Sequence, residues 1–196
     1  MLNVRWMRII LAIGLFFGSA PVLAEGLVGK TAPSFSLVDQ AGKTHNLSNY
    51  VGKVVVLEWT NPGCPFVVRH YEAGTMKKLA EGTAKDGVVW LAVNSSHFTK
   101  PSETKAWAKK HGHSFPTLHD PDGKVGKSYG AKTTPHMFVI DQKGMVAYEG
   151  AIDADPWIED AKAPNYVAAA LVDLKGGKKV GKNYVKPYGC SVKYKR

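Results

Sequence analysis

Two continuous runs of apolar residues, 54–60 and 88–94, stand out in the hydrophobic pattern of this 196-residue chain. A run of this kind, without alternation, is typical of a strand that is buried on both faces of a sheet. Shorter apolar runs bounded by Gly, Pro, Asn and Asp complete the set of strands. The predicted strands are residues 35–38, 54–60, 88–94, 117–119, 137–140 and 146–149, with a hairpin turn at residues 141–144.

Helices are predicted between these strands from their start and stop signals. Pro101 opens one helix and Gly112 ends it, while Gly74 separates two short helices. The predicted helices are residues 65–71, 76–80, 101–112 and 165–174, the last of them stopped by two glycines. Strand and helix alternate first, and a hairpin and a helix follow. This order predicts an α/β fold with a mixed central sheet flanked by helices.

The N-terminus has the three parts of a secretory signal. Arg5 and Arg8 precede an apolar run at residues 9–18, and residues 22–24 provide a small-residue cleavage site. The run is too short to span a bilayer, although an uncleaved anchor is the alternative. We therefore expect cleavage after Ala24 and a periplasmic or secreted protein in an oxidising compartment.

The positive charge is concentrated at the C-terminal end. Lys and Arg number 26 against 16 Asp and Glu. Residues 174–196 hold eight of the basic residues and no acidic one, so the rest of the mature chain is balanced. We expect one domain, residues 25–175, and a basic tail, residues 176–196, that is solvated or contacts an anionic surface or an acidic partner. Nucleic acid is disfavoured as a ligand because an exported protein rarely meets it.

One of the two cysteines, Cys64, follows the first apolar run within the sequence W-T-N-P-G-C-P-F. A cysteine between a buried strand and a helix start faces unpaired backbone N–H groups at the positive end of the helix dipole. Those groups favour the thiolate, which lowers the pKa of the thiol and makes the sulfur a nucleophile. Pro65 suits the first helical turn, where its missing N–H costs nothing. The alternative is a small buried hydrophobic residue.

Four stretches of the chain resemble the thioredoxin-fold redoxins. This group joins the peroxiredoxin-like alkyl hydroperoxide reductase and thiol-specific antioxidant superfamily with periplasmic thiol–disulfide oxidoreductases. The stretches are residues 29–35 (GKTAPSF), residues 47–53 (LSNYVGK), the strand that ends in Trp59 before Cys64, and residues 130–141 (GAKTTPHMFVID). The resemblance implies a thioredoxin-like fold and an oxidoreductase in which Cys64 is the catalytic nucleophile.

The chain departs from both branches of that group. Thioredoxin-like reductases carry C-x-x-C, and the position of the second cysteine is Val67 here. In the peroxiredoxin pattern P-x-x-x-T-x-x-C, the proline position is Leu57 and the threonine position is Asn61, with Thr60 one residue away. The place of the peroxiredoxin arginine is held by Pro135. These departures disfavour efficient peroxide reduction.

Thr134-Pro135 resembles the cis-proline of the thioredoxin fold, which lies against the nucleophilic cysteine. The resemblance implies a cis bond beside Cys64, with the backbone of Thr134 free to pair with an extended substrate segment. Thr60, Asn61, Thr134 and Pro135 are therefore candidate substrate-positioning residues. We favour thiol–disulfide exchange, with a thiol peroxidase that reduces hydroperoxides as the alternative.

Cys190 lies 126 positions after Cys64. A nucleophilic thiol that attacks a disulfide or a peroxide needs a second thiol to release it. Because the nearby position is Val67, we expect Cys190 to be this resolving cysteine, carried across the domain by a tail that shows no helical pattern. A passive structural disulfide and a bond between two subunits are the alternatives.

The expected partners are protein thiols or disulfides, or hydroperoxides, together with an external thiol reductant. The sequence indicates no cofactor and no metal ion. A third alternative is a non-catalytic or metal-handling domain, because His70 and His136 accompany the single local cysteine. Copper-binding relatives of this fold use two nearby cysteines, which disfavours this alternative.

Overall fold

The central sheet is built around the first apolar run of the sequence. A computed structural model of the protein describes residues 26–195. The strands are β1 (Ser36–Asp39), β2 (Thr44–Asn46), β3 (Val55–Trp59), β4 (Val89–Asn94), β5 (Thr117–His119), β6 (Thr133–Thr134), β7 (His136–Ile140), β8 (Val146–Gly150), β9 (Tyr184–Val185) and β10 (Cys190–Ser191). The helices are α1 (Pro65–Glu72), α2 (Thr75–Ala84), α3 (Pro101–His111), α4 (Lys124–Tyr129) and α5 (Tyr166–Lys175), and a 3₁₀ turn covers Leu47–Tyr50.

Eight strands form one mixed sheet in the order β2-β1-β5-β4-β3-β7-β8-β9. At its centre, β3 pairs in parallel with β4 and antiparallel with β7. Every residue of β3 is buried, as the continuous apolar run predicts for a strand covered on both faces. A separate two-stranded sheet joins β6 and β10 in antiparallel pairing. The predicted α/β class is therefore confirmed.

Two hydrophobic clusters cover the opposite faces of the main sheet. Val56 of β3 packs in the cluster that includes residues of α1, α2 and α5. Its neighbour Leu57 packs in the second cluster, which includes Tyr129 of α4. Successive side chains of a strand point to opposite faces, so a strand between two helical layers buries its side chains on both faces.

The C-terminal segment, residues 176–195, packs along the domain and is not the solvated tail that the sequence analysis considered. Strand β9 pairs in parallel with β8, and β10 pairs with β6. Val192 is buried, and its backbone N–H donates to the carbonyl oxygen of Lys132. These backbone hydrogen bonds and this burial fix the segment, while its lysine side chains stay exposed. Contact of those lysines with an anionic surface remains a prediction.

The predicted signal, residues 1–24, lies outside the described residues. Within residues 26–195, the helices are all too short or too polar to cross a lipid bilayer.

Candidate active site

Cys64 is the N-cap residue of α1, at the turn that follows β3. The side-chain oxygen of Asn61 accepts a hydrogen bond from the backbone N–H of Gly63 at 2.8 Å, and the Asn61 carbonyl accepts one from the N–H of Cys64 at 2.9 Å. Pro65 occupies the first turn of the helix. This turn holds the thiol at the N-terminus of α1, where free backbone N–H groups stabilise negative charge. Cys64 itself is only 1% exposed.

The predicted cis bond between Thr134 and Pro135 is present, and it lies beside Cys64. The Cys64 thiol donates a hydrogen bond to the carbonyl oxygen of Thr134, with a sulfur–oxygen distance of 2.9 Å. Cys190 is the partner of Thr134 in the β6–β10 pairing. The two cysteines, 126 positions apart in sequence, therefore meet at one residue, and both are free thiols.

The backbone edge of Thr134 is covered, although the sequence analysis expected it to be free for a substrate segment. The chain's own β10 occupies it in antiparallel pairing. Gly189, directly before β10, has φ of 123°. A Cβ atom at this position would lie 2.1 Å from the Thr134 carbonyl oxygen, so only glycine permits this close approach.

The two thiols have opposite pKa shifts. Burial raises the pKa of Cys64, but hydrogen bonds outweigh it, first from the Cys190 thiol and then from Thr134, so the net shift is downward. The Thr134 hydroxyl is buried and has no hydrogen-bond partner among the described residues, so it is available to a Cys64 thiolate. Burial, together with the neighbouring Cys64, raises the pKa of Cys190 to about 11. Cys64 is therefore the thiol that ionises first.

Thr60 and Asn61, the other two candidate positioning residues, are placed differently. Asn61 shapes the turn before Cys64 through its side-chain oxygen. The side chain of Thr60 lies beside Glu58 and Tyr71. Thr60 therefore belongs to a buried polar group behind the site, whereas Asn61 supports the nucleophile.

Glu58 is a buried acid that the sequence analysis missed. It has no exposed surface, and one of its carboxylate oxygens accepts a hydrogen bond from the Trp90 indole at 3.1 Å. Burial raises the pKa of Glu58 to about 7, although the Trp90 hydrogen bond opposes this shift. The signal was present in the sequence, because Glu58 is the only charged residue in the apolar run at residues 54–60.

The histidines and the arginine of the described region have other contacts. His70 is hydrogen-bonded to Tyr188, and the ring nitrogen Nδ1 of His136 accepts a hydrogen bond from the backbone of Lys132. Within residues 26–195, no three His, Cys, Asp or Glu side chains converge as a metal site would require. The guanidinium of Arg69 lies 4.6 Å from the ring centre of Trp157.

Comparison with known proteins places these features in a family. Residues 28–149 match the AhpC/TSA family. A relative named thiol-disulfide oxidoreductase ResA, from Geobacillus thermodenitrificans, is 35% identical over 119 residues, which cover 61% of this chain and 66% of ResA. Chloroplastic peroxiredoxin Q from Populus jackii is 33% identical over 136 residues, covering 64% of this chain and 60% of that protein. The chain therefore spans less than two thirds of the length of each of these relatives.

A solved structure extends the similarity to most of the chain. The crystal structure of a hypothetical protein from Sinorhizobium meliloti 1021 superposes with a TM-score of 0.78 at 30% identity, covering 86% of this chain and 94% of that one. The fold is thioredoxin-like, as the resemblance implied. With the family match over residues 28–149, this chain belongs to the AhpC/TSA family.

Proposed function

We propose that this protein is an exported thiol-based oxidoreductase that exchanges disulfides, with Cys64 as its nucleophile and Cys190 as its resolving cysteine. The observation that carries the proposal is the meeting of the two thiols at Thr134. Cys64 donates to the Thr134 carbonyl, and Cys190 pairs with the same residue. Their opposite pKa shifts support the assignment of roles, because the thiolate is the attacking species.

The reaction consists of two disulfide exchanges. The Cys64 thiolate attacks one sulfur of a substrate disulfide, which forms a Cys64–substrate bond and releases the other substrate sulfur as a thiolate. Cys190 then loses its proton and attacks the Cys64 sulfur, which forms the Cys64–Cys190 disulfide and releases the second substrate thiol. The substrate gains two electrons and the protein loses two, and an external dithiol restores the protein by the reverse exchange.

The pKa of Cys190 favours this order of events. Part of the rise in the pKa of Cys190 comes from the neighbouring Cys64. Once Cys64 is bonded to a substrate it carries no charge, so this contribution disappears and Cys190 ionises more easily. The pKa of Cys190 therefore stays high until the mixed disulfide between Cys64 and the substrate has formed.

The covered edge of Thr134 favours a second candidate function, a thiol peroxidase. Cys64 is nearly inaccessible and β10 occupies the edge where a protein segment would pair. A hydroperoxide is small enough to approach under these conditions. The Cys64 thiolate would attack its terminal oxygen to give a sulfenic acid and an alcohol or water, and Cys190 would condense with the sulfenic acid to release water. Against this candidate, the one arginine within residues 26–195 is Arg69, which packs on Trp157.

Export rests on the sequence of residues 1–24, whose basic start, apolar run and small-residue site match a cleavable signal. An oxidising compartment suits a protein that cycles between dithiol and disulfide.

The test uses the mature chain, residues 25–196, with each cysteine replaced by serine in turn. After reaction with a peptide disulfide or with hydrogen peroxide, non-reducing peptide mapping should find Cys64 linked to Cys190. Cys64→Ser should abolish turnover, and Cys190→Ser should accumulate a mixed disulfide or a sulfenic acid on Cys64. Turnover that survives Cys64→Ser would favour a non-catalytic or metal-handling role for the thiol. Unchanged turnover in Cys190→Ser would remove Cys190 from the mechanism.

A further inference from the structure

Three polar side chains from separate parts of the chain meet at a point two residues before Cys190. They are His70 on α1, Asp153 after β8, and Tyr188 in the C-terminal segment. The Tyr188 hydroxyl lies 2.5 Å from Asp153 Oδ1 and 2.8 Å from His70 Nε2. His70 has no exposed surface, and Asp153 is buried as well. We refer to these three residues as the tyrosine clamp.

The hydrogen bonds of the tyrosine clamp have a fixed direction. Burial, with the nearby Asp153, raises the pKa of Tyr188 well above its ordinary value, so the hydroxyl keeps its proton. A hydroxyl has one proton to give, and the carboxylate of Asp153 can only accept it. His70 Nε2 must therefore carry a proton and donate it to the Tyr188 oxygen. Nδ1 of His70 then faces Asp153 Oδ2 at 3.8 Å without a hydrogen bond.

The tyrosine clamp connects the two segments that carry the thiols. Tyr188 is two residues before Cys190, and its ring lies 6.0 Å from the ring of Phe66, which is two residues after Cys64. The same ring stacks on His70 at 6.0 Å. A movement of Tyr188 therefore changes the position of Cys190 relative to the N-terminus of α1.

Tyr188 is distinctive among the contacts of the C-terminal segment. In the described part of the chain, and apart from the contact between the two thiols, it alone joins residues 176–195 to the rest of the domain through side chain–side chain hydrogen bonds. The other hydrogen bonds between this segment and the rest of the domain use at least one backbone group. Examples are the bond from the Tyr194 hydroxyl to the Ala131 carbonyl and the β6–β10 pairing. A buried hydrogen bond to a charged group is stronger than a neutral one.

We propose that Tyr188, Asp153 and His70 are positioning residues that hold Cys190 against Cys64. This proposal rests on the proposed function, since it concerns the second exchange, in which the Cys190 thiolate attacks the Cys64 sulfur and the substrate thiol leaves. The rate of an intramolecular attack follows the effective concentration of the attacking group, which falls when its segment is free to move. The tyrosine clamp should therefore speed resolution, whereas it should not speed the first attack by Cys64.

The test is Tyr188→Phe, which keeps the ring and removes the hydroxyl. Rapid mixing with a peptide disulfide and acid quenching should show that the mixed disulfide on Cys64 forms at least as fast as in the wild type. Conversion to the Cys64–Cys190 disulfide should be slower by about tenfold, the scale expected for one lost hydrogen bond to a charged group. In a dithiol redox buffer the Cys64–Cys190 disulfide should be easier to reduce by a similar factor. Equal rates of resolution in the two proteins would overturn the proposal.

Matched variants separate positioning from loss of folding. Tyr184→Phe removes the hydroxyl of an exposed tyrosine in the same segment and should behave as wild type. Asp153→Asn keeps a neutral acceptor for Tyr188 and should have an intermediate resolution rate, while Asp153→Ala should resemble Tyr188→Phe. Thermal unfolding of each variant shows whether it is folded, so that an unfolded variant is recognised as such. A fall in both steps together would indicate a structural role and overturn the proposal.

A second measurement distinguishes failure of the tyrosine clamp from failure of the proposed function. If the wild-type protein never forms the Cys64–Cys190 disulfide, the proposed function is wrong. The tyrosine clamp is then judged from alkylation of Cys64 in a Cys190→Ser background. Addition of Tyr188→Phe should speed this alkylation about tenfold, because the segment that covers Cys64 is released. No change would show that the tyrosine clamp does not hold the segment in place.

Discussion

Cys190 faces Thr134 across the two-residue pairing of β6 and β10, and the Thr134 carbonyl accepts the hydrogen bond of the Cys64 thiol at 2.9 Å. One residue therefore contacts both cysteines through its backbone. The chain also covers with its own C-terminal strand the edge on which a substrate segment was expected to pair. The accessibility of Cys64 and the position of Cys190 consequently depend on the same short strand, β10.

The ionisation of Cys64 should depend on Cys190. The hydrogen bond from the Cys190 thiol is the first of the contributions that lower the pKa of Cys64 against its burial. In Cys190→Ala this donor is lost, so the pKa of Cys64 should rise, whereas Cys190→Ser keeps a hydroxyl donor and should raise it less. The pH dependence of Cys64 alkylation, followed by peptide mass spectrometry, measures each inflection. An identical inflection in all three proteins would contradict the prediction.

Glu58 should make the protein less stable as pH rises through neutrality. Its pKa is about 7 in the folded state against 4.5 for an ordinary glutamate, so between these values the folded state holds a proton that the unfolded state has released. The contribution of Glu58 to stability must then fall with increasing pH, whereas the buried His113 and His136, whose pKa values burial lowers, contribute in the opposite direction. At about 1.4 kcal/mol for each pH unit, the loss is on the order of 3 kcal/mol between pH 4.5 and 7. Urea unfolding across this range measures it.

Glu58→Gln is the control for this pH effect. Glutamine has the shape of the protonated acid and does not titrate, so the contribution of Glu58 to the pH dependence between pH 4.5 and 7 should disappear. Other buried groups, such as His113, whose pKa burial lowers to about 4, remain in both proteins. The difference between the two stability profiles therefore isolates Glu58. A flat difference across this range would show that Glu58 ionises in the folded state as it does in the unfolded state, and would contradict the prediction.

A cysteine at position 67 should replace Cys190. The backbone N–H of Val67 hydrogen-bonds to Cys64 and helps to lower its pKa, so the two residues are close, as positions three apart on a helix are. In a Cys190→Ala background, Val67→Cys should restore an intramolecular disulfide, at a stability cost of about 1 kcal/mol for the lost packing of a fully buried valine. Non-reducing peptide mapping detects the bond. Val68→Cys, at the adjacent position, is the control and should form none.

The long elements of the fold could be predicted from sequence, and the short ones could not. The apolar runs at residues 54–60 and 88–94 identify β3 and β4 to within one or two residues, because a strand that is buried on both faces is apolar at nearly every position. Strands β6, β9 and β10 have two residues each. Two residues carry no periodicity, and their pairing is decided by distant parts of the chain.

The candidate site could likewise be predicted only where its residues are adjacent in sequence. Cys64 could be placed at a helix N-terminus because strand, turn and helix are adjacent in sequence. The position of Cys190 depends on Tyr188, on Gly189 and on an edge more than 50 residues earlier in the chain, and no local pattern encodes these contacts. The placement of Thr60 could have been anticipated, since the two-residue period of a strand puts it on the same face as Glu58.

Gly189→Ala should decide between the two candidate functions. The new Cβ would lie 2.1 Å from the Thr134 carbonyl oxygen at a φ of 123°. Such strain costs on the order of 1–3 kcal/mol, so β10 should leave β6 and expose Cys64. If the wild-type protein acts on small oxidants, it should react faster with hydrogen peroxide than with a protein disulfide. The variant should then gain at least about tenfold in its rate with the protein disulfide.

Gly181→Ala is the matched control, because a Cβ atom at this position of the same segment meets only the Asp173 side chain, at 3.8 Å. It should preserve the wild-type ratio of the two rates. If wild-type Cys64 already reacts faster with the protein disulfide, β10 must open readily in solution, and disulfide exchange is then the better assignment. If Gly189→Ala leaves both rates unchanged, β10 does not control access to Cys64, and its position no longer favours a peroxidase.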